Sequence, residues 1–456
     1  MGGTLHPDGP LVKKTPGRHR APMNIPALPG FAHRILPNGL RLIGIQRPGD
    51  TALLAVDVRV GSRYEDERDH GLSHFLEHMI FQGSAGVPDP DEVNRRAERM
   101  GAAFDAWTSR EASRYSHWLD PARLPESAAL LADLLHRPLF ERIESERAII
   151  IEESLDEFDE DGRLVDADTL ARQALWPKSP LGRNVIGSQA NIKRFSVEDL
   201  HRHHARYFGA ANMVLTVVSG GPPEALLDAV EAPFALLPAG ERREPEGPGI
   251  DPMGPVVELV EDGRSQVDVR LVYRTPGRYV PEAPALRLLG RTLDDGLVSR
   301  LHQRLGSELG LAYSLWASWE PYADSGAFEV GATVSPAKAA TFVEEAQAQL
   351  QGLVDRPPTA DELDHVRFRA QWAARSNADS AEGQVALHGT PWLFRSDPPT
   401  PEARLARVLA VTSEQLAEAA ATTFRPERHV ACFVGPLDKP VRRALKARVR
   451  SHQRED

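Results

Sequence analysis

The stretch Gly71-Leu-Ser-His-Phe-Leu-Glu-His-Met-Ile-Phe81 is the part of the sequence from which the fold and chemistry can be argued. It reads as a helix in which His74 and His78 lie one turn apart on one face, with Cβ atoms about 5–6 Å apart. That spacing lets two imidazole nitrogens bind one Zn²⁺. Glu77 points to the same side and can reach a metal-bound water, whose pKa zinc lowers towards about 7. The carboxylate can then take a proton and deliver it to a leaving amine.

A catalytic zinc site needs a third protein ligand and an open fourth position. The best candidate lies in Glu146-Arg-Ala-Ile-Ile-Ile-Glu-Glu-Ser154. Glu146 precedes Glu153 by two helical turns on one face, so one carboxylate could bind the metal and the other orient its ligands. Spacing alone does not choose Glu153 over Glu152. The competing interpretations are an exposed helix with two unrelated histidines and, for Glu146, an ordinary exposed acid.

Composition bounds the class of protein. A length of 456 residues suggests two or three domains, and 41% hydrophobic with 26% charged residues is ordinary for a soluble enzyme. The net charge of −11 argues against nucleic acid as a partner and favours cationic peptides. The single cysteine, Cys432, lies in an apolar run and predicts a buried thiol without a disulfide. Since no secretory leader or apolar run of about eighteen residues is found, we expect a cytoplasmic protein without a membrane partner.

The pattern of the chain restarts in its second half. Val56–Val60 alternates with polar residues as a half-buried strand does, and Val267–Leu271 repeats this pattern before a predicted helix over Ala283–Leu293. Setting Leu72 opposite Leu286 suggests an internal repeat. In that alignment the residues opposite His74, Glu77 and His78 are Leu288, Arg291 and Thr292. Chance similarity of two amphipathic helices is the competing interpretation.

A stretch rich in proline, glycine and glutamate, Pro238–Gly249, predicts a linker between two domains. The predicted divisions are an irregular lead-in (1–30), a zinc-bearing catalytic domain (31–236), the linker (237–254), a second homologous domain without a metal site (255–440) and a basic C-terminal tail (441–456).

Three stretches together resemble the pitrilysin/insulysin family of inverted zinc peptidases: Gly71–Phe81, Gly101-Ala-Ala-Phe-Asp-Ala-Trp-Thr-Ser109 and Glu146–Ser154. The resemblance is closest to the short, two-domain branch that includes the β subunit of mitochondrial processing peptidase and bacterial relatives. Pro180–Gly187 and Gly310–Tyr313 also fit, so the resemblance extends from about residue 33 to 436.

The resemblance implies an α+β fold with two structurally related domains, each an antiparallel-rich sheet packed with helices. It implies that Zn²⁺ is the cofactor and favours Glu153 over Glu152. The roles that it assigns are metal ligands for His74, His78 and Glu153, catalytic base for Glu77 and supporting acid for Glu146.

The resemblance also implies that the strand near Phe104–Ser109 binds the substrate peptide as an added strand, which makes Asp105 and Ala106 substrate contacts. Asp105 stands where the family usually has Asn. An aspartate accepts the same hydrogen bond but donates none, so a contact to a substrate carbonyl is lost.

A second departure concerns an Arg and a Tyr, seven residues apart, that usually hold the substrate carbonyl in this family. Tyr313 is present, but Gly306 occupies the Arg position. Arg304 is two residues away and would face elsewhere on a helix. A buried core tyrosine is the competing interpretation of Tyr313.

The predicted function is a zinc-dependent endopeptidase acting on short or unfolded peptides, for leader processing or degradation; the alternative is a non-catalytic structural or assembly subunit. Because the family encloses peptides within four such domains, a second family chain is expected. That chain would be an Arg/Tyr-bearing partner in a heterodimer, or a second copy using Tyr313 alone or with Arg304. We interpret the cluster His201-Arg-His-His204 as a solvated helix face, since it lacks ligand spacing.

Overall fold

The computed structural model describes residues 30–252 and 254–451. The predicted lead-in, apart from Gly30, and residues 452–456 of the predicted tail lie outside the described residues. The strands of the first sheet are β1 (Gly30–Ile35), β2 (Arg41–Gln46), β3 (Ala52–Val58), β4 (Gly101–Thr108), β5 (Ser113–Leu119) and β6 (Met213–Ser219). Those of the second are β7 (Val256–Glu261), β8 (Val267–Pro276), β9 (Ala312–Pro321), β10 (Ser325–Val334) and β11 (His429–Gly435).

Helices fill the segments between the strands. In the first domain they are α1 (Leu72–Ile80), α2 (Pro90–Met100), α3 (Leu124–His136), α4 (Ile143–Ser154), α5 (Ala167–Leu175), α6 (Gln189–Arg194), α7 (Val197–Tyr207) and α8 (Pro223–Phe234). In the second they are α9 (Ala283–Leu293), α10 (Pro336–Asp355), α11 (Ala360–Ala378), α12 (Ala381–Gln384), α13 (Pro391–Phe394), α14 (Pro401–Leu409), α15 (Ser413–Thr423) and α16 (Lys439–Ser451). Two π-helical segments span His302–Glu308 and Val385–Gly389. Within the described ranges, no helix is long and apolar enough to cross a membrane.

The two sheets share one topology. Their strand orders are β1-β2-β6-β3-β5-β4 and β7-β11-β8-β10-β9, so the second order repeats the first without β1. The parallel pairs, β2 with β6 and β7 with β11, occupy the same place, and the remaining pairs are antiparallel. Helix α1 follows β3 as α9 follows β8, which is the correspondence expected from the sequence repeat. The predicted fold class, two related α+β domains, is confirmed.

Both sheets are covered on two faces, and each domain supplies part of the other's cover. The expectation that Val56–Val60 is half-buried is wrong, because every residue of this stretch is buried. One face of β3 packs on the helices of its own domain, and the other packs on Ala381–Phe394 of the second domain. In return, α5 of the first domain packs on β8 and β11, and Trp176, directly after α5, donates its Nε1–H to Ser325 Oγ of β10 at 3.0 Å.

The one polar residue of β3, Asp57, is buried with partners. The Arg114 guanidinium donates to both carboxylate oxygens of Asp57, and the Thr390 hydroxyl from the second domain donates to Asp57 at 3.0 Å. These contacts explain how an alternating polar residue is accommodated in a fully covered strand, since a buried carboxylate requires donors.

Of the two segments that flank the second domain, the predicted linker and the predicted basic tail, only the tail contains regular structure within the described residues. Residues 238–252 form neither helix nor strand. The predicted basic tail begins as helix α16, whose Leu445 and Val449 are buried against the second core. Cys432 is buried in β11, as its apolar neighbours predict.

Candidate metal centre

The start of helix α1 is stabilised by Glu65, a residue outside the helix. Gly71 precedes the helix with a φ of 104° and provides no side-chain cap. The buried Glu65 carboxylate instead accepts hydrogen bonds from the backbone N–H groups of Gly71 (2.8 Å) and Ser73 (2.6 Å). Negative charge at this end of a helix is favourable, although burial raises the pKa of Glu65 to about 7. A side chain at residue 71 would clash with the backbone of Ile186, so the entry to the helix tolerates only glycine.

Helix α4, which packs against α1, presents the third candidate ligand. Glu153 Oε1 lies 3.7 Å from His74 Nε2, and Glu153 Oε2 lies 3.6 Å from His78 Nε2. The ligand atoms of these three residues all lie within 4.8 Å of one another. In the part of the chain that the structure describes, this is the only group of three or more His, Cys, Asp or Glu with such geometry.

The donor set fits zinc. Two imidazole nitrogens and one carboxylate are a ligand set of catalytic zinc sites, which keep a fourth position open. Glu146 Oε2 lies 3.2 Å from His78 Nδ1 and accepts its N–H, which leaves the Nε2 lone pair facing Glu153. Burial, together with nearby His78, lowers the pKa of His74 to about 3, so its imidazole is held in the neutral form that binds metals.

Glu77 lies on α1 beside this cluster with one carboxylate oxygen, Oε2, buried and without a hydrogen-bond partner. Burial raises the pKa of Glu77, and a hydrogen bond with Thr108 at the end of β4 opposes this rise. The buried Tyr115 hydroxyl also lacks a partner, and burial and the charge of Glu77 both raise its pKa. Sequence reasoning missed Thr108 and Tyr115. Only the position of Thr108 within the Gly101–Ser109 stretch could have indicated it.

The predicted substrate contacts lie on an open sheet edge. β4 pairs only with β5, and its other side is the edge of the sheet. Asp105 is exposed and Ala106 is half-buried on this strand. Their position beside Glu77 is consistent with the charge of Asp105 acting on that residue.

The second-domain residues do not join the cluster in this chain. Tyr313 on β9 is fully exposed, so the interpretation of it as a core tyrosine is wrong. Arg304 forms ion pairs with Glu345 (2.9 Å) and Glu308 (3.0 Å). Gly306 is half-buried, and the nearest atom to a Cβ placed there is Leu315 Cδ2 at 3.9 Å.

The histidine cluster on α7 is not a solvated face as expected. His203 is buried, and its Nε2 lies 3.0 Å from Ser73 Oγ on α1. His204 is half-buried, and its Nε2 lies 2.8 Å from the carbonyl oxygen of Leu135. Helix α7 therefore supports the helix that carries the metal ligands. The expectation rested on the missing ligand spacing and on the polar neighbours in sequence, neither of which shows that α7 packs on α1.

Fold and site together define a two-domain α+β protein with an inverted His-x-x-Glu-His motif and a candidate metal site. A model described as insulinase (peptidase family M16) matches residues 42–189, and one described as the peptidase M16 inactive domain matches residues 194–369. The chain is 31% identical over 323 residues to an uncharacterized zinc protease of Mycobacterium leprae, covering 69% of this chain and 72% of that protein. The chain therefore belongs to the M16 peptidase family.

Other relatives extend this similarity. An uncharacterized zinc protease of Mycobacterium tuberculosis is 28% identical, covering 91% of this chain and 96% of that protein. The mitochondrial-processing peptidase subunit beta of Dictyostelium discoideum is 34% identical over 44% of this chain and 43% of its own length. The crystal structure of a protease from Helicobacter pylori superimposes with a TM-score of 0.81 at 22% identity, covering 90% of this chain and 100% of that one, which shows the shared fold.

Proposed function

We propose that this chain is a zinc-dependent endopeptidase that hydrolyses peptide bonds in short or unfolded peptides. The observation that carries the proposal is the convergence of His74, His78 and Glu153 beside the buried carboxylate of Glu77. A non-catalytic subunit has no use for a buried carboxylate oxygen without a hydrogen-bond partner beside a set of candidate metal ligands, because burying that oxygen costs free energy. The zinc proteases among its relatives support the same choice.

His74, His78 and Glu153 would hold the zinc ion, with Glu146 orienting His78. When bound, zinc polarises a carbonyl and lowers the pKa of water. Glu77 takes the proton of the attacking water and delivers it to the departing amine nitrogen. Burial raises the pKa of Glu77 and so brings its proton affinity closer to that required near neutral pH.

The substrate peptide adds to the open edge of β4 as an extra strand. Main-chain hydrogen bonds then supply affinity without reading much sequence. Thr108 at the end of this strand contacts Glu77, so a peptide aligned on β4 passes close to the catalytic carboxylate. Asp105 provides an acceptor but no amide donor on the exposed side of the strand.

The working enzyme is proposed to contain two chains. Arg304 is engaged by two carboxylates and Gly306 has no side chain, so neither position offers a free guanidinium to hold a substrate carbonyl. A partner of the same family would supply the Arg/Tyr pair. Native mass measurement combined with a peptidase assay separates the alternatives: full activity from a homodimer of this chain excludes the requirement for a different partner.

The test of the chemistry is Glu77→Gln. We expect kcat to fall by about 10²–10⁴-fold because the proton acceptor is lost, while the zinc content stays that of the parent. The matched control is Glu152→Gln, which removes an exposed carboxylate of α4 next to Glu153 and leaves both activity and zinc content unchanged. A Glu77→Gln protein that cleaves peptides at the parent rate contradicts the mechanism.

A further inference from the structure

A cavity of about 410 Å³ lies in the second domain, between α9, the segment around α13, and α14. Five arginines line it, and we call it the arginine pocket: Arg278, Arg287, Arg395, Arg404 and Arg407. No aspartate or glutamate is among its lining residues. Its volume lies in the range of small-molecule sites, which is about 300–1,000 Å³.

The positive charge of the arginine pocket is largely uncompensated. Arg287 and Arg407 are exposed to solvent at the mouth of the pocket and have no hydrogen-bond or ion-pair partner among the residues that the structure describes. Arg404 donates only to the carbonyl oxygens of Pro399 and Leu387. The surrounding pocket walls partly desolvate the Arg287 guanidinium, although its side chain still touches solvent, and this lowers its pKa; the nearby arginines Arg291 and Arg278 lower it further. Clustering like charges in a partly enclosed space is unfavourable unless an anion offsets it.

The two remaining arginines of the pocket contact aromatic rings, and one of them also shares a carboxylate with an arginine outside the pocket. Arg395 lies over the ring of Tyr279 at 5.2 Å. Arg278 lies over the ring of Phe394 at 4.6 Å and pairs with Glu111, a carboxylate that Arg63 also uses. The charge of Glu402, an exposed residue outside the lining, also acts on Arg404.

The location of the pocket connects it to the first domain. Glu111 belongs to the turn between β4 and β5, and Thr390 on the pocket wall donates to Asp57 of β3. An anion bound here would therefore contact Arg278 and Thr390. Arg278 pairs with Glu111 in the turn after β4, the strand that carries Asp105, and Thr390 binds Asp57 in the core of the first sheet.

We propose that the arginine pocket binds a small multivalent oxyanion, a molecule with two or more phosphate or carboxylate groups. Guanidinium groups present planar, paired donors that match both groups, and clustered arginines bind such anions through charge-assisted hydrogen bonds. Tyr279, Asn377 and Thr390 add neutral polar groups to the lining. The site is separate from the candidate metal centre, so it stands independently of the proposed peptidase activity.

Equilibrium dialysis of the full chain against radiolabelled pyrophosphate and, separately, citrate tests the proposal at constant ionic strength. The two probes distinguish phosphate from carboxylate ligands. Because both also chelate zinc, the decisive comparison is with the double variant Arg287→Gln/Arg407→Gln, whose metal centre is unchanged. The control is Arg356→Gln, which removes an exposed arginine of the same domain outside the pocket. Zinc content and melting temperature are measured for every protein.

We expect one anion per chain with a dissociation constant below about 1 mM for at least one probe. The double variant should bind it about tenfold or more weakly, since it loses two charge-assisted contacts, and Arg356→Gln should bind like the parent. The proposal is overturned if neither probe binds, or if the folded double variant binds as tightly as the parent. Equal loss of binding in Arg356→Gln would also overturn it, because the effect would then be one of overall charge.

Discussion

The first and second domains share a sheet topology but differ in the helix that follows the central strand. In the first domain this helix, α1, carries His74 and His78 towards α4. In the second, α9 carries Leu288 and Thr292, both buried, and the Thr292 hydroxyl donates to the carbonyl oxygen of Leu288 at 3.0 Å. The difference teaches that topology positions a helix for chemistry, whereas a few side chains decide whether chemistry is possible.

The second domain nevertheless contributes to the site through packing. The segment Ala381–Phe394 covers the face of the first sheet that its own helices leave open. Helix α5 performs the reciprocal task on the second sheet. Neither sheet is fully buried without the other domain, so the domain without metal ligands is still needed to keep the metal-bearing sheet closed.

The largest difference between the two domains is expected when the residue at one matched position of α1 and of α9 is replaced by alanine. His78→Ala removes one of three ligands, so we expect zinc to be lost at micromolar protein concentration and peptidase activity to fall below detection. Thr292→Ala, at the corresponding place in α9, should retain zinc and activity. Zinc is measured by mass spectrometry of the dialysed proteins. Equal zinc retention by both variants would contradict the assignment of α1 as the ligand helix.

Local patterns were enough to predict the elements that carry the site. The helix predicted over Ala283–Leu293 has those bounds in the structure, and the one around Gly71–Phe81 differs by one residue at each end. Both have the apolar periodicity of a helix. The spacing from Glu146 to Glu153 likewise placed both carboxylates on the face of α4 that meets α1.

Contacts between distant parts of the chain were not predictable in this way. The full burial of β3 depends on residues 381–394, which no local pattern around Val56–Val60 reveals. The role of Glu65 at the start of α1 and that of His203 behind Ser73 also depend on the folded arrangement. Each of these residues is polar in sequence, and only tertiary structure supplies the partner that allows its burial.

The packing of α5 on the second sheet is tested at Arg172. This buried α5 residue pairs with Glu329 (2.7 Å) and Glu320 (3.1 Å) of the second domain. Arg172→Leu should lower the free energy of unfolding by about 3 kcal/mol, because it leaves the buried carboxylate of Glu329 with one donor fewer. Urea unfolding measures this. The control Arg163→Leu removes a surface pair with Asp159, which solvent screens, and should move the unfolding midpoint much less. Equal unfolding midpoints for the two variants would show that the domain contact adds little stability.

The support of the ligand helix is tested by Glu146→Gln. Its amide can still accept one hydrogen bond from His78 Nδ1 but carries no charge, so we expect zinc affinity to fall by about 10–100-fold. Competition with a chelator measures the affinity. Glu144→Gln, which alters an exposed acid on the same helix, serves as the control. Unchanged affinity in Glu146→Gln would mean that Glu146 does not orient the ligand.

The smallest expected effect concerns the arginine that the second domain lacks at position 306. A Cβ at Gly306 meets no atom closer than 3.9 Å, so Gly306→Arg should fold and present a guanidinium on the same segment as Arg304. If the missing arginine limits the isolated chain, kcat/KM of this chain alone should rise by about tenfold, the effect of one charge-assisted hydrogen bond. Ser307→Arg adds the same charge at the next, exposed position and should give no increase, since adjacent helical residues face different directions. A rise in both variants would indicate a general attraction of the substrate by added positive charge. If Gly306→Arg gives no rise, the missing arginine side chain does not limit the isolated chain, and a second chain is required instead.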